Sequence, residues 1–170
     1  ETDSNRFRPV YWFIIQFIPE NYQLWHFIVV LIYIFSSILS YVVVKKITNN
    51  SQLSFLSSVL FTLNYSISVK SLSWGIFYGH IFNVFFGFIN ILLFIKIISA
   101  KKVKIFHITS FFIINLINFM ITEGGMIYLF INFVIVLFWK KNLIMSKYNY
   151  VLINFLPLIF FFFFSYLNSG

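Results

Sequence analysis

The sequence predicts an all-α fold, a polytopic transmembrane helix bundle of about six spanning helices with one short surface helix. Three observations predict it. The 170 residues are 61% hydrophobic and only 9% charged, whereas ordinary soluble domains are about a quarter charged. Apolar stretches recur over approximately residues 23–44, 53–69, 76–98, 105–121, 124–139 and 150–167, and a helix needs about 20 mostly apolar residues to cross roughly 30 Å of hydrocarbon. The lysines gather at or near the ends of these stretches.

No separate soluble domain fits beside the spans. Residues 1–170 therefore read as a single transmembrane domain, with 1–22 as an extracytoplasmic loop and 23–167 as the six spans. The chain opens with Glu1, carries no basic start or small-residue cleavage site, and stops at Asn168-Ser169-Gly170 just past an apolar run. It is expected to be a fragment of a larger membrane module.

Residues 9–18 are too short to span and are halted by Pro19-Glu20-Asn21. They suit a helix lying along the outer surface, with Pro9 in its first turn and Tyr11 and Trp12 at headgroup depth; a loop packed on the bundle is the alternative. The span at 23–44 begins with Trp25 and His26 and ends in Lys45-Lys46, an interfacial aromatic at one end and snorkelling cations at the other. Residues 105–139 form one apolar stretch broken only by Thr122-Glu123-Gly124-Gly125, which reads as a tight turn between two spans. The second of these rises only about 24 Å and must borrow length from its flanks or sit in thinned bilayer. The last span carries Pro157, which neighbouring helices can tolerate in a membrane.

Orientation follows from the cations. If the first 22 residues lie outside, the inside ends carry Lys45, Lys46, Lys96, Lys101, Lys102, Lys104, Lys140, Lys141 and Lys147, and the outside keeps Arg6, Arg8 and Lys70. The opposite orientation would reverse the positive-inside bias at three successive loops. The net charge of +8 is thus a topology signal and not a nucleic-acid footprint. The absence of cysteine excludes disulfides, thiolate metal sites and a cysteine nucleophile. The 26 phenylalanines accompany abundant Ile, Asn, Lys and Tyr and a single alanine, Ala100; this reads as A/T-rich coding and carries no function.

Polar residues inside spans are more informative, because a polar group facing lipid is penalised. His80, Asn83, Gly87 and Asn90 recur at helical spacing on one face, which turns inward. Asn83, Gly87 and Asn90 read as helix–helix packing, with Asn amides bonding across the bundle and Gly87 permitting close approach. His80, about one turn below the outer surface, suits either a helix–helix hydrogen bond or an outer cavity lining. Asn115 and Asn118 read as packing partners, and Ser36, Ser37 and Ser40 as small contact residues.

All four acidic residues, Glu1, Asp3, Glu20 and Glu123, fall on the outer face in this layout. So do Arg6 and Arg8 before the surface helix, and Lys70 and Trp74 in the second outer loop. Arg binds phosphate oxygens in a bidentate fork, and a carboxylate can act as a base or hold a metal. The set suits a phosphate-bearing lipid together with an acceptor that must lose a proton. For Lys70 and Glu20 taken alone, a solvated loop charge is the plainer reading; Glu123, in a four-residue turn between two spans, is costly unless exposed or paired.

The segment Asn5-Arg6-Phe7-Arg8-Pro9-Val10-Tyr11-Trp12, then Trp25-His26-Phe27 opening a span, Val59-Leu60-Phe61, Ser73-Trp74-Gly75 and Thr122-Glu123-Gly124 together resemble the order of landmarks in polytopic GT-C-type glycosyltransferases. The nearest branch is that related to protein O-mannosyltransferases. The resemblance covers about residues 5–125. The chain departs from the pattern at Val29, Tyr33, Asn64-Tyr65, Lys70 and Thr122.

The resemblance implies a membrane enzyme, sited in the plasma (inner) membrane, that moves a sugar from a polyprenyl-phosphate carrier to a glycan, lipid or protein acceptor at the extracytoplasmic face. Transfer usually inverts the anomeric centre and sometimes uses a divalent metal such as Mg or Mn. On that basis Asp3 deprotonates or orients the acceptor hydroxyl, Arg6 and Arg8 engage the carrier phosphate, and Glu123 assists by binding substrate or metal. Lys70, Trp74 and His80 complete the substrate-binding set. The alternatives are a transporter or flippase of lipid-linked glycans, which would line a midplane path with polar groups and broken helices, and a non-catalytic membrane subunit on the same scaffold.

Overall fold

The computed structural model describes residues 16, 22–64, 78–100, 102–121, 125–139 and 146–167. Among these the regular structure is all helical: α1 (Tyr22–Thr48), α2 (Ser51–Thr62), α3 (Tyr78–Ser99), α4 (Ile105–Ile121), α5 (Met126–Phe138) and α6 (Lys147–Leu167). The surface helix expected at 9–18 lies, Gln16 apart, outside the described residues.

Three helices, α1, α3 and α6, are long and apolar enough to cross a membrane, fewer than the six the sequence predicts. The difference is one of length. Helix α4 has 17 residues, α5 has 13 and α2 has 12; at 1.5 Å per residue, α5 rises only about 20 Å, short of the hydrocarbon thickness.

Helix α1 runs one turn beyond its apolar stretch, so Lys45 and Lys46 stand in its last turn, where cations complement the helix dipole. Asn49 then adopts φ 57°, the left-handed conformation that Asn tolerates better than most residues. The Asn50 side chain accepts from the Gln52 N–H at 2.9 Å and the Leu53 N–H at 3.0 Å, the N-cap arrangement that starts α2. Two asparagines therefore make the whole turn.

Helix α2 folds back antiparallel on α1. Ser58 donates to the Ser37 carbonyl at 3.0 Å, the Ser37 and Thr62 hydroxyls lie 2.9 Å apart, and the buried small residues Ser36, Ser40 and Ser54 let the helices close together. The Tyr33 hydroxyl donates to the Thr62 carbonyl at 2.7 Å and reaches the Phe61 carbonyl at 3.2 Å. Tyr33 sits near the middle of α1, so α2 ends level with the middle of its neighbour. The Thr62 carbonyl, one of those a helix end leaves without an intrahelical partner, is thereby satisfied.

Helix α3 packs against α1, α4 and α5, while α6 packs against α4 and α5; α3, α4, α6 and α5 thus form a ring. Trp25 stacks on Phe82 near the start of α1 and α3, and Val43 joins Ile98 in the core near their other ends, so these two helices run parallel. Trp25, expected at the interface, is buried because that stacking turns it toward α3. Aromatic pairs join α4 to two of its neighbours: Phe94 on Phe111 toward α3, and Phe112 on Phe160 and Phe119 on Phe161 toward α6.

Half of the apolar window of α3 is buried, against 28% for α1 and 22% for α6, which makes α3 the central helix. Phe27, Phe35 and Ile38 of α1 and Ile159, Phe162 and Phe163 of α6 are exposed. An apolar rind of this size is costly in water and is consistent with a lipid surround.

Candidate functional site

Of the seven residues the sequence nominates as a site, six lie outside the described residues: Asp3, Arg6, Arg8, Lys70, Trp74 and Glu123. His80 is described. It stands exposed in the first turn of α3, at the end opposite Lys96 of the same helix. The stripe below it is progressively enclosed, with Asn83 5% exposed and Asn90 fully buried. His80 is therefore where the polar face of α3 leaves the bundle.

The deeper members of the stripe meet α4 and α5. The Asn83 side chain donates to the Asn118 carbonyl at 3.2 Å, near the end of α4. Oriented to satisfy its neighbours, the Asn118 amide donates to the Asn83 carbonyl at 3.1 Å and accepts from the Gly87 N–H at 3.2 Å. A Cβ at Gly87 would fall inside the ring of Tyr128; only glycine lets α5 lay this ring on the α3 backbone. The expectation of packing for Asn83, Gly87 and Asn90 holds, as does that for Asn118. Asn115 is buried too, but its amide turns back to the Phe111 carbonyl of its own helix at 3.1 Å.

Two central residues were not anticipated. Asn132 of α5 donates to Asn90 at 2.7 Å and to Asn154 of α6 at 3.1 Å, and Asn154 donates to the Leu129 carbonyl at 2.8 Å. All three asparagines are fully buried. The signal was available: Asn132 is the one amide in the apolar run MIYLFINFVIVLF, and an amide there needs a partner from another helix. Asn132 is alone in α5, and Asn149 and Asn154 in α6 are five apart, so neither helix shows a polar face of helical period.

The α4–α5 break expected at residues 122–125 is bracketed by the end of α4 at Ile121 and by Gly125, both buried. A Cβ at Gly125 would lie 3.0 Å from the Asn118 backbone and the Phe119 ring, so glycine allows α5 to start hard against the last turn of α4.

Chemically, the asparagine lattice offers neutral donors and acceptors. It holds no group that could take a proton or attack a substrate at neutral pH. Hard divalent cations require oxygen ligands, chiefly carboxylates. All four carboxylates fall outside the described residues, and among the described ones no group of three or more His, Asp or Glu could hold a metal. The described lysines, 45, 46, 96, 102, 104 and 147, are exposed and stand at or beside the C-terminal ends of α1 and α3 and the starts of α4 and α6. No protein-family model, curated protein or solved structure matches the chain.

Proposed function

We propose that the chain is part of a polytopic membrane glycosyltransferase of the GT-C type, transferring a sugar from a polyprenyl-phosphate carrier to an acceptor at the extracytoplasmic face. The observation that carries the reading is the position of His80. It is exposed in the first turn of α3, at the head of a stripe whose deeper members pack against α4 and α5, and in the lysine-based layout α3 begins at the outer face, where Asp3, Arg6, Arg8, Lys70, Trp74 and Glu123 are also expected. The bundle supplies a rigid frame; the chemistry lies with the outer loops.

The acceptor hydroxyl oxygen attacks the anomeric carbon and gives up its proton to Asp3. The bond from that carbon to the phosphate oxygen breaks, and the electron pair leaves on the polyprenyl phosphate. Arg6 and Arg8 hold the phosphate as its charge develops, which favours the transition state over the bound donor. Glu123 orients the acceptor, and Trp74 and Lys70 complete the donor pocket with His80.

A second reading, transport of a lipid-linked glycan, is favoured by one observation. Helix α2 stops level with Tyr33 in the middle of α1, and helices broken near the midplane are a feature of transporters.

Membranes containing the intact protein, incubated with radiolabelled polyprenyl-phosphate sugars, discriminate the two. Transfer of label to an acceptor, lost in Asp3→Asn with insertion intact, supports the enzyme. Movement of the unaltered lipid-linked sugar between leaflets without transfer supports transport. Undiminished transfer in Asp3→Asn removes that residue from the mechanism.

A further inference from the structure

We infer that the cleft between the inner ends of α1 and α5 is a binding site for an anionic phospholipid of the lysine-side leaflet. Both helices pack on α3 and not principally on each other, so their ends splay and leave a cleft of about 860 Å³, within the range of small-molecule sites. Tyr41, Lys45 and Lys46 line it from α1, and Val134, Phe138 and Trp139 from α5.

The chemistry of the walls selects the occupant. The Lys45 ammonium donates to the Tyr41 hydroxyl at 3.3 Å and lies 5.6 Å from the Tyr41 ring centroid, which holds the charge at the cleft mouth and leaves donors over. Lys46 stands beside it. Trp139 adds an aromatic wall opposite the lysines. Lys147 donates to the Leu137 carbonyl at 3.0 Å and fixes the last turn of α5 against the start of α6. Among the described residues no carboxylate offsets these cations.

A neutral ligand would leave two adjacent ammonium groups uncompensated, and a soluble anion would leave Val134 and Phe138 wet. A phosphodiester headgroup with an acyl chain answers both. It needs no route to the site, because the exposed apolar faces of α1 and α6 put the cleft mouth in the bilayer. Basic pockets between spanning helices on the cytoplasmic side bind anionic headgroups by this means. The inference uses the membrane placement of the chain and not its catalysis, so failure of sugar transfer would leave it standing.

Tryptophan quenching by brominated lipids tests it on the full chain. The Trp139 contribution is isolated as the difference between the native protein and Trp139→Phe, each reconstituted in vesicles of brominated phosphatidylglycerol or brominated phosphatidylcholine diluted in unbrominated lipid. The expected result is stronger quenching of Trp139 by the anionic lipid, with its preference falling about fivefold for each of Lys45→Gln and Lys46→Gln. Equal quenching by the two lipids, an unchanged preference in the double variant, or no quenching of Trp139 because protein fills the cleft, would each overturn it. Should Trp139→Phe fail to fold, native mass spectrometry of the native protein and of Lys45→Gln/Lys46→Gln decides the same point. Retained phosphatidylglycerol in the first and none in the second is expected; equal retention overturns the inference.

Discussion

The ring of Tyr128 occupies the space where Gly87 lacks a side chain. This single fit sets how closely α5 approaches the central helix, and with it the reach between Asn132 and Asn90 two turns or fewer away on either helix. Tyr128 is itself only 7% exposed, so its ring has nowhere to swing. Gly87→Ala should cost about 1–3 kcal/mol through overpacking, read as a lower midpoint in denaturant titration of detergent-solubilised protein. Combining it with Tyr128→Leu should destabilise less than the two changes summed; strict additivity would show that the residues do not share the space.

Asn132 divides one amide between two helices. Asn132→Leu keeps the volume but leaves Asn90 and Asn154 without that donor. The expected loss is about 1 kcal/mol, a typical upper-range value for interhelical hydrogen bonds in membranes. Stability titration against the native chain measures it, and Asn115→Leu should cost less, since Asn115 bonds only within its own helix.

The Tyr33 hydroxyl bonds to the carbonyls at the end of α2. Tyr33→Phe removes the hydrogen bonds and keeps the stacking on Phe61. It should cost about 1 kcal/mol and speed amide exchange in the last turn of α2, with little change in α3. Exchange that rises equally in both helices would mean that the hydroxyl supports the whole bundle and not the helix end.

Much of this frame was legible in the sequence, and the reasons are particular. Helix ends at Lys45-Lys46 and at Ile121 follow from where apolar runs meet cations or glycine. The inward face of Asn83, Gly87 and Asn90 follows from spacing. What escaped was the depth at which α2 stops. The run 53–69 mixes apolar residues with serines, Thr62 and Asn64, and its helix ends at Thr62, whose carbonyl accepts from the Tyr33 hydroxyl 29 residues earlier, a long-range contact no local pattern announces. Asn132 and Asn154 escaped for the related reason that their meaning lies in each other. Of the candidate site, sequence order nominated His80, whose exposure at the head of the α3 stripe is a matter of how the bundle tapers.

Sidedness is the claim on which the rest depends, and the absence of cysteine from these 170 residues leaves no native thiol in this segment to compete with an introduced one. Single variants His80→Cys, Glu123→Cys and Lys102→Cys, introduced into the intact protein, can be treated on whole cells with a membrane-impermeant maleimide before and after permeabilisation. The account predicts that His80→Cys and Glu123→Cys react from outside and that Lys102→Cys reacts only once the membrane is opened. Labelling of Lys102→Cys from the same side as His80→Cys would contradict it.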